Sequence, residues 1–261
     1  MNARVSKWLV VIPVCLLLIL PLGHKVLASD ARAKNVDPEM EIQILHASLQ
    51  IQMFELTKAG DQYLIAKGLA TLVLNGGEMQ IVTHNHWGEI MKNAEFVRFY
   101  GASDNLLADM SGEAFNQAIL EQDAGTLLLQ TPKELMARKQ VLRFANLGLS
   151  EQVRVGDTVL LVQQENSESD KLILTKAIVE GLTTYKKRPA FTLFTLDGQP
   201  IIPGDSGGGV WLNGRLVGNI WGRETVNRTE GWRYTGWLRQ APEVKEVGYV
   251  AELPQALNFG R

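Results

Sequence analysis

The sequence predicts an all-β protein, and three observations predict it. Apolar and polar residues alternate over short runs, as at 49–53 and 96–100, which is the period of a half-buried strand. Turn signals separate these runs, notably Lys58-Ala59-Gly60-Asp61 and Asn75-Gly76-Gly77. A chain of 261 residues, 46% hydrophobic, has the length and the apolar content for a sizeable core between packed strands. It contains no internal repeat.

The elements follow in order. Residues 29–47 form an extension that ends in a short helix. Asp37 is its cap, Pro38 stands in its first turn, and it runs to about His46. Residues 48–145 are expected to form a first half, with strands at 49–53, 63–74 and 96–100. A short helix is expected at 133–140, in the linker between the halves. Residues 146–261 form the second half. A strand at 155–162 opens it, a polar loop spans 166–171, and strands at 172–182 and 189–196 lead into a glycine-rich stretch.

The N-terminus reads as a targeting segment. Arg4 and Lys7 precede an apolar run at 8–22, which is short for a membrane span and broken by Pro13 and Pro21. Val26-Leu27-Ala28 before Ser29 fits a small-residue cleavage site. Residues 1–28 are thus expected to be a signal peptide, or else an uncleaved signal anchor and the chain's one membrane contact. In either case the remainder is secreted or extracytoplasmic. The single cysteine, Cys15, lies in this segment, so the exported part has no disulfide and thiol catalysis is excluded. Formal net charge is −2; residues 1–28 hold Arg4, Lys7, Lys25 and no acid, leaving about −5 on the rest. No basic run interleaved with aromatics suggests nucleic acid. No cofactor is expected. His84-Asn85-His86 could supply two metal ligands, but there is no H-E-x-x-H and no usable cysteine, so no metal is expected.

The most informative stretch is Ile201-Ile202-Pro203-Gly204-Asp205-Ser206-Gly207-Gly208-Gly209-Val210-Trp211. Ser206 stands among residues without Cβ atoms, on a backbone that can turn sharply and approach a ligand. Two backbone N–H groups in such a turn can converge on one oxygen, as an oxyanion hole requires. A hydroxyl is a weak nucleophile and needs a base, usually histidine. His24, His46, His84 and His86 all precede Ser206. That order excludes the nucleophile elbow of α/β-hydrolases, whose histidine follows the serine. The subtilisin order would need an acid before His86, for which Asp61 is available. There, however, the serine opens a helix, and the surroundings of Ser206 are strand-like.

These residues carry a resemblance. Gly204-Asp205-Ser206-Gly207-Gly208, Val210-Trp211, Gly214-Arg215-Leu216-Val217-Gly218 and Trp221-Gly222 resemble the trypsin/chymotrypsin family. So do Gly68-Leu69-Ala70-Thr71-Leu72-Val73 and Ile81-Val82-Thr83-His84-Asn85-His86. The resemblance covers about residues 48–225. It implies two packed six-stranded antiparallel β-barrels, the first at 48–145 with the histidine and the acid and the second at 146–261 with the serine, and a serine endopeptidase acting on polypeptide substrates through an acyl-enzyme. By its spacing from Thr83, His86 is the base, with His84 the alternative. The third member orients the imidazole and stabilises its charged form. Asp123, just before the apolar run 127–129, fits best; Asp109 and Asp104 are the alternatives. The resemblance places the oxyanion hole at the N–H groups of Gly204 and Ser206, and the substrate pocket at Pro200, Ile201, Trp221 and Gly222.

The chain also departs from the family. Trp87, rather than cysteine, follows His86, which is closer to the cysteine-free bacterial members. No Ile-Val-Gly-Gly precedes the barrel to supply a partner for Asp205, so either Asp205 has another anchor or activation of that kind is missing. A catalytically impaired binding or scaffold protein on the same fold is the alternative function.

Overall fold

The computed structural model describes residues 36–90, 94–123, 125–139, 142–185, 188–196, 198–228, 243–251, 253 and 257. The expected targeting segment lies outside them. No helix among the described residues is long and apolar enough to cross a membrane.

The first described element is α1 (Pro38–His46), started as the sequence predicts. The Asp37 carboxylate accepts the Glu39 N–H at 3.1 Å, and Pro38 occupies the first turn, where no donor is needed. Ile44 is the buried residue of this helix.

Seven antiparallel strands form the first sheet: β1 (Ser48–Leu56), β2 (Gln62–Asn75), β3 (Glu78–His84), β4 (Phe96–Tyr100), β5 (Leu106–Ser111), β6 (Ile119–Gln122) and β7 (Thr126–Gln130). Their order is β5-β4-β1-β2-β3-β7-β6. Three short helices attach to this half: α2 (Trp87–Ile90), α3 (Gly112–Gln117) and α4 (Lys133–Met136). Ser111 caps α3 by accepting the Ala114 N–H at 3.1 Å. The helix expected at 133–140 is the four-residue α4, whose cap position, Pro132, offers no side-chain acceptor.

The second sheet contains β8 (Asn146–Leu147), β9 (Thr158–Gln164), β10 (Leu172–Tyr185), β11 (Arg188–Thr195), β12 (Gly209–Leu212), β13 (Arg215–Arg228) and β14 (Glu243–Ala251). The order is β12-β9-β10-β11-β14-β13-β8, and β12 also pairs with β13. That extra pairing closes six strands into a barrel, with β8 added in parallel on β13. β9 begins later than the apolar run suggests, because Gly156 has φ +92° and Val155–Gly156 form a turn. The all-β architecture of two packed halves is therefore the one expected. Among the described residues no pairing joins the edge strands β5 and β6 of the first sheet.

Three apolar clusters hold this together. One fills the first half around Ile51, Trp87, Phe99 and Phe115. Another fills the second barrel around Leu161, Val179, Leu193 and Val250. The third lies between the halves and joins Ile44 of α1, Leu69, Val82 and Leu128 of the first sheet to Val162, Trp211 and Leu216 of the second. β3 gives Val82 to this cluster and Ile81 to the first, which is why it carries a run of buried residues instead of clean alternation.

Candidate active site

The histidines stand where β3 ends. His84 is the last residue of that strand and lies opposite Thr126 of β7. Asn85 and His86 make the turn into α2, whose first residue, Trp87, is fully buried. A hydrogen-bond chain anchors the turn: Trp87 Nε1 donates to Thr83 Oγ1 at 3.0 Å, and that hydroxyl donates to the Leu69 carbonyl at 2.6 Å.

The serine loop docks on these same strands. Leu69 N–H donates to the Ser206 carbonyl at 2.8 Å, and Gly207 N–H to the Ile220 carbonyl at 2.7 Å. Gly207 has φ +88°, and a Cβ there would lie 2.0 Å from the Leu69 carbonyl oxygen and 2.5 Å from Thr83 Oγ1. Gly68 has the same office on β2. A Cβ would meet the Trp87 ring at 2.4 Å and the Ser206 carbonyl at 2.9 Å. Glycine at these points lets the serine loop and the histidine turn share one piece of β2 and β3.

Asp205 is completely buried. One oxygen accepts the Gln164 N–H at 2.8 Å; the other accepts the Ile202 N–H at 2.8 Å and the Gln163 amide at 3.1 Å. Gln164 also donates to the Gly204 carbonyl at 2.9 Å. Asp205 thus has an anchor made of β9 and its own loop. Burial still pushes its pKa up, against the lowering effect of these three bonds and of Arg223. The sequence leaves open which residues form this anchor. Its signal was two adjacent glutamines closing an apolar strand, both with no exposed surface.

The other candidates are placed as follows. Asp123 is half-buried in the β6–β7 turn. Its N–H donates to the Thr126 carbonyl at 2.9 Å, and its own carbonyl accepts from the Asn85 side chain, so its backbone is tied to the histidine turn. Asp109 is exposed on β5, separated from β3 by β4, β1 and β2. Asp104 lies in the β4–β5 turn with φ +56°, and burial, then Asp170, raises its pKa. It lines a groove of about 390 Å³ with Ala102, Ser103, Ser169, Asp170 and Lys171, none of them a candidate catalytic residue.

Around the histidines the aromatic rings form a row. His86 and His84 have centroids 4.0 Å apart, tilted by 51°. His84 lies 6.4 Å from Trp221, near parallel, and Trp221 lies 5.1 Å from Tyr249. His86 also meets Trp87 at 5.7 Å. Its ring is exposed by surface area, yet enough atoms crowd it for desolvation to lower its pKa. Trp221 and Gly222 are half-buried on β13, and the position a Gly222 Cβ would take is open space. Ile201 is buried in the second-barrel cluster, and Pro200 is exposed with its carbonyl accepting from Gln163 at 3.1 Å. Among the described residues no group of three or more His, Cys, Asp or Glu could hold a metal.

No sequence-family model and no curated protein matches the chain. Solved structures do. The HtrA-type protease AlgW with a tripeptide superposes with TM-score 0.53 at 14% identity, over 82% of this chain and 59% of AlgW. AlgW with a decapeptide gives 0.51 at 12% identity, over 82% and 62%. An inactive serine-to-alanine form of Rv3671c from M. tuberculosis H37Rv gives 0.54 at 14% identity, over 83% and 86%. The chain thus spans about three fifths of the AlgW chains. It has the trypsin-like fold of HtrA-type serine proteases.

Proposed function

We propose that this chain is an exported serine endopeptidase. Ser206 is the nucleophile, His86 the base and Asp123 the acid that orients the imidazole. One observation carries the reading: the glycine loop bearing Ser206 is hydrogen-bonded to Leu69, and Leu69 is in turn bonded to Thr83, three residues before His86. The fold shared with HtrA-type proteases supports it, as does AlgW having been solved with peptides.

In this mechanism Ser206 Oγ attacks the carbonyl carbon of a peptide bond while His86 takes the hydroxyl proton. The N–H groups of Gly204 and Ser206 receive the oxyanion. Collapse expels the amine, to which His86 returns the proton, and leaves an acyl-serine. Water, deprotonated by His86, then frees the acid. Asp123 is the best-placed of the candidate acids because its backbone is bound to Asn85 beside the base. The His86 ring packs against the rings of His84 and Trp87. Catalytic hydrogen bonds commonly tighten only in the substrate complex. Trp221 and Gly222 form one wall of the substrate cleft in this reading, with Pro200 and Ile201 at its base. The segment 1–28 carries the export.

A fluorophosphonate probe tests it, since only an activated serine reacts. Wild type is expected to label and to hydrolyse peptides. Ser206→Ala should do neither, with turnover lower by on the order of a million-fold. A folded wild-type chain that takes no probe would point instead to a binding or scaffold protein.

A further inference from the structure

We infer that His84 is a positioning residue for His86: its Nδ1 accepts the His86 backbone N–H and fixes the turn that aims the His86 ring. The inference rests on the proposed function, in which His86 is the base. The bond is 3.1 Å long. His84 is 2% exposed, and its backbone is held in β3 opposite Thr126, so its ring is a fixed object and not a surface side chain. The ring has two aromatic neighbours, His86 with centroids 4.0 Å apart and Trp221 with centroids 6.4 Å apart.

The chemistry requires a particular nitrogen. To accept the N–H, Nδ1 must carry no proton, so the proton of the neutral ring is on Nε2. An aliphatic residue could fill the same volume but would leave the His86 N–H without its acceptor. The turn is only two residues long, Asn85 and His86, so loss of that bond acts directly on the base. An error of about 1 Å in a reacting group costs about a hundredfold in rate.

The test compares three substitutions at this position. His84→Leu keeps bulk and removes the acceptor. His84→Asn places an amide oxygen where Nδ1 stands. His84→Gln places it where Nε2 stands, and serves as the acceptor-free variant if the leucine protein does not fold. The readouts are kcat and KM on a peptide substrate, fluorophosphonate labelling rate, and hydrogen exchange of the His86 amide by NMR. Leu and Gln should lower kcat and labelling about a hundredfold with KM unchanged, and should expose the His86 amide to exchange. Asn should recover most of both. Wild-type kcat in the Leu variant, an Asn variant as impaired as Leu, or an unprotected His86 amide in wild type would each overturn the inference. If wild type itself takes no probe, the proposed function fails instead. The amide exchange then still decides for His84: protection lost in Leu and kept in Asn upholds its hold on the turn, and unchanged protection overturns it.

Discussion

Desolvation acts on His86 in a direction that suits a base. The crowded imidazolium loses water and the pKa falls below its ordinary value, so the neutral, proton-accepting form persists at lower pH. The unfolded chain then binds the proton more readily than the folded one. Between the ordinary value and the lowered one, stability contributed by this residue declines as pH falls. Activity should follow the same neutral form. With His86 as the proposed base, the acid limb of kcat/KM is expected to have its midpoint below about 6.5. A midpoint at or above that value would show that a negative charge beside the ring outweighs its desolvation.

At the scale of elements, the site depends on one loop lying flat against two strands. Gly207 is where the loop touches: a Cβ would collide with the Leu69 carbonyl at 2.0 Å, and φ +88° already disfavours any side chain. Neither atom it would strike is the flexible end of a side chain. Gly207→Ala is therefore expected to push the loop off β2, abolish probe labelling and cost about 1–3 kcal/mol of stability. Labelling rate and urea midpoint measure the two effects separately. Labelling at the wild-type rate would mean that the contact does not set the position of Ser206. The Asp205 anchor holds the other side of the loop from within the chain itself. Gln163, Gln164 and Ile202 supply its bonds with no new N-terminus involved.

At the scale of the whole molecule, the cluster between the halves joins the sheet that carries the His86 turn to the sheet that carries the Ser206 loop. Leu128 lies in it, 1% exposed on β7, together with Ile44, Val162 and Trp211. Leu128→Ala removes buried volume that neither sheet can refill alone. It should cost about 2–5 kcal/mol in urea unfolding followed by tryptophan fluorescence and circular dichroism. A loss well under about 1 kcal/mol would show that the layer is loosely packed and does not couple the halves.

What the sequence determined by itself is local. Asp37 before Pro38 starts α1 because a cap acts within one turn. Gly60, Gly76 and Gly77 mark the first two hairpins because positive φ is a property of the single residue. The serine motif was legible because its chemistry is packed into consecutive positions. The cap at Ser111 is an equally local signal, since its side chain acts on the N–H three residues on. The tertiary structure decided what distant segments do to each other. It brought Gln163 and Gln164 to Asp205, 42 and 41 residues away, and laid Leu69 against Ser206. It set Asp109 apart on β5 and brought the Asp123 backbone to Asn85. It also buried His84 beside Trp221 of β13. No periodicity or spacing encodes such contacts, because burial and hydrogen-bond partners at long separation arise only once two sheets have closed on a common core.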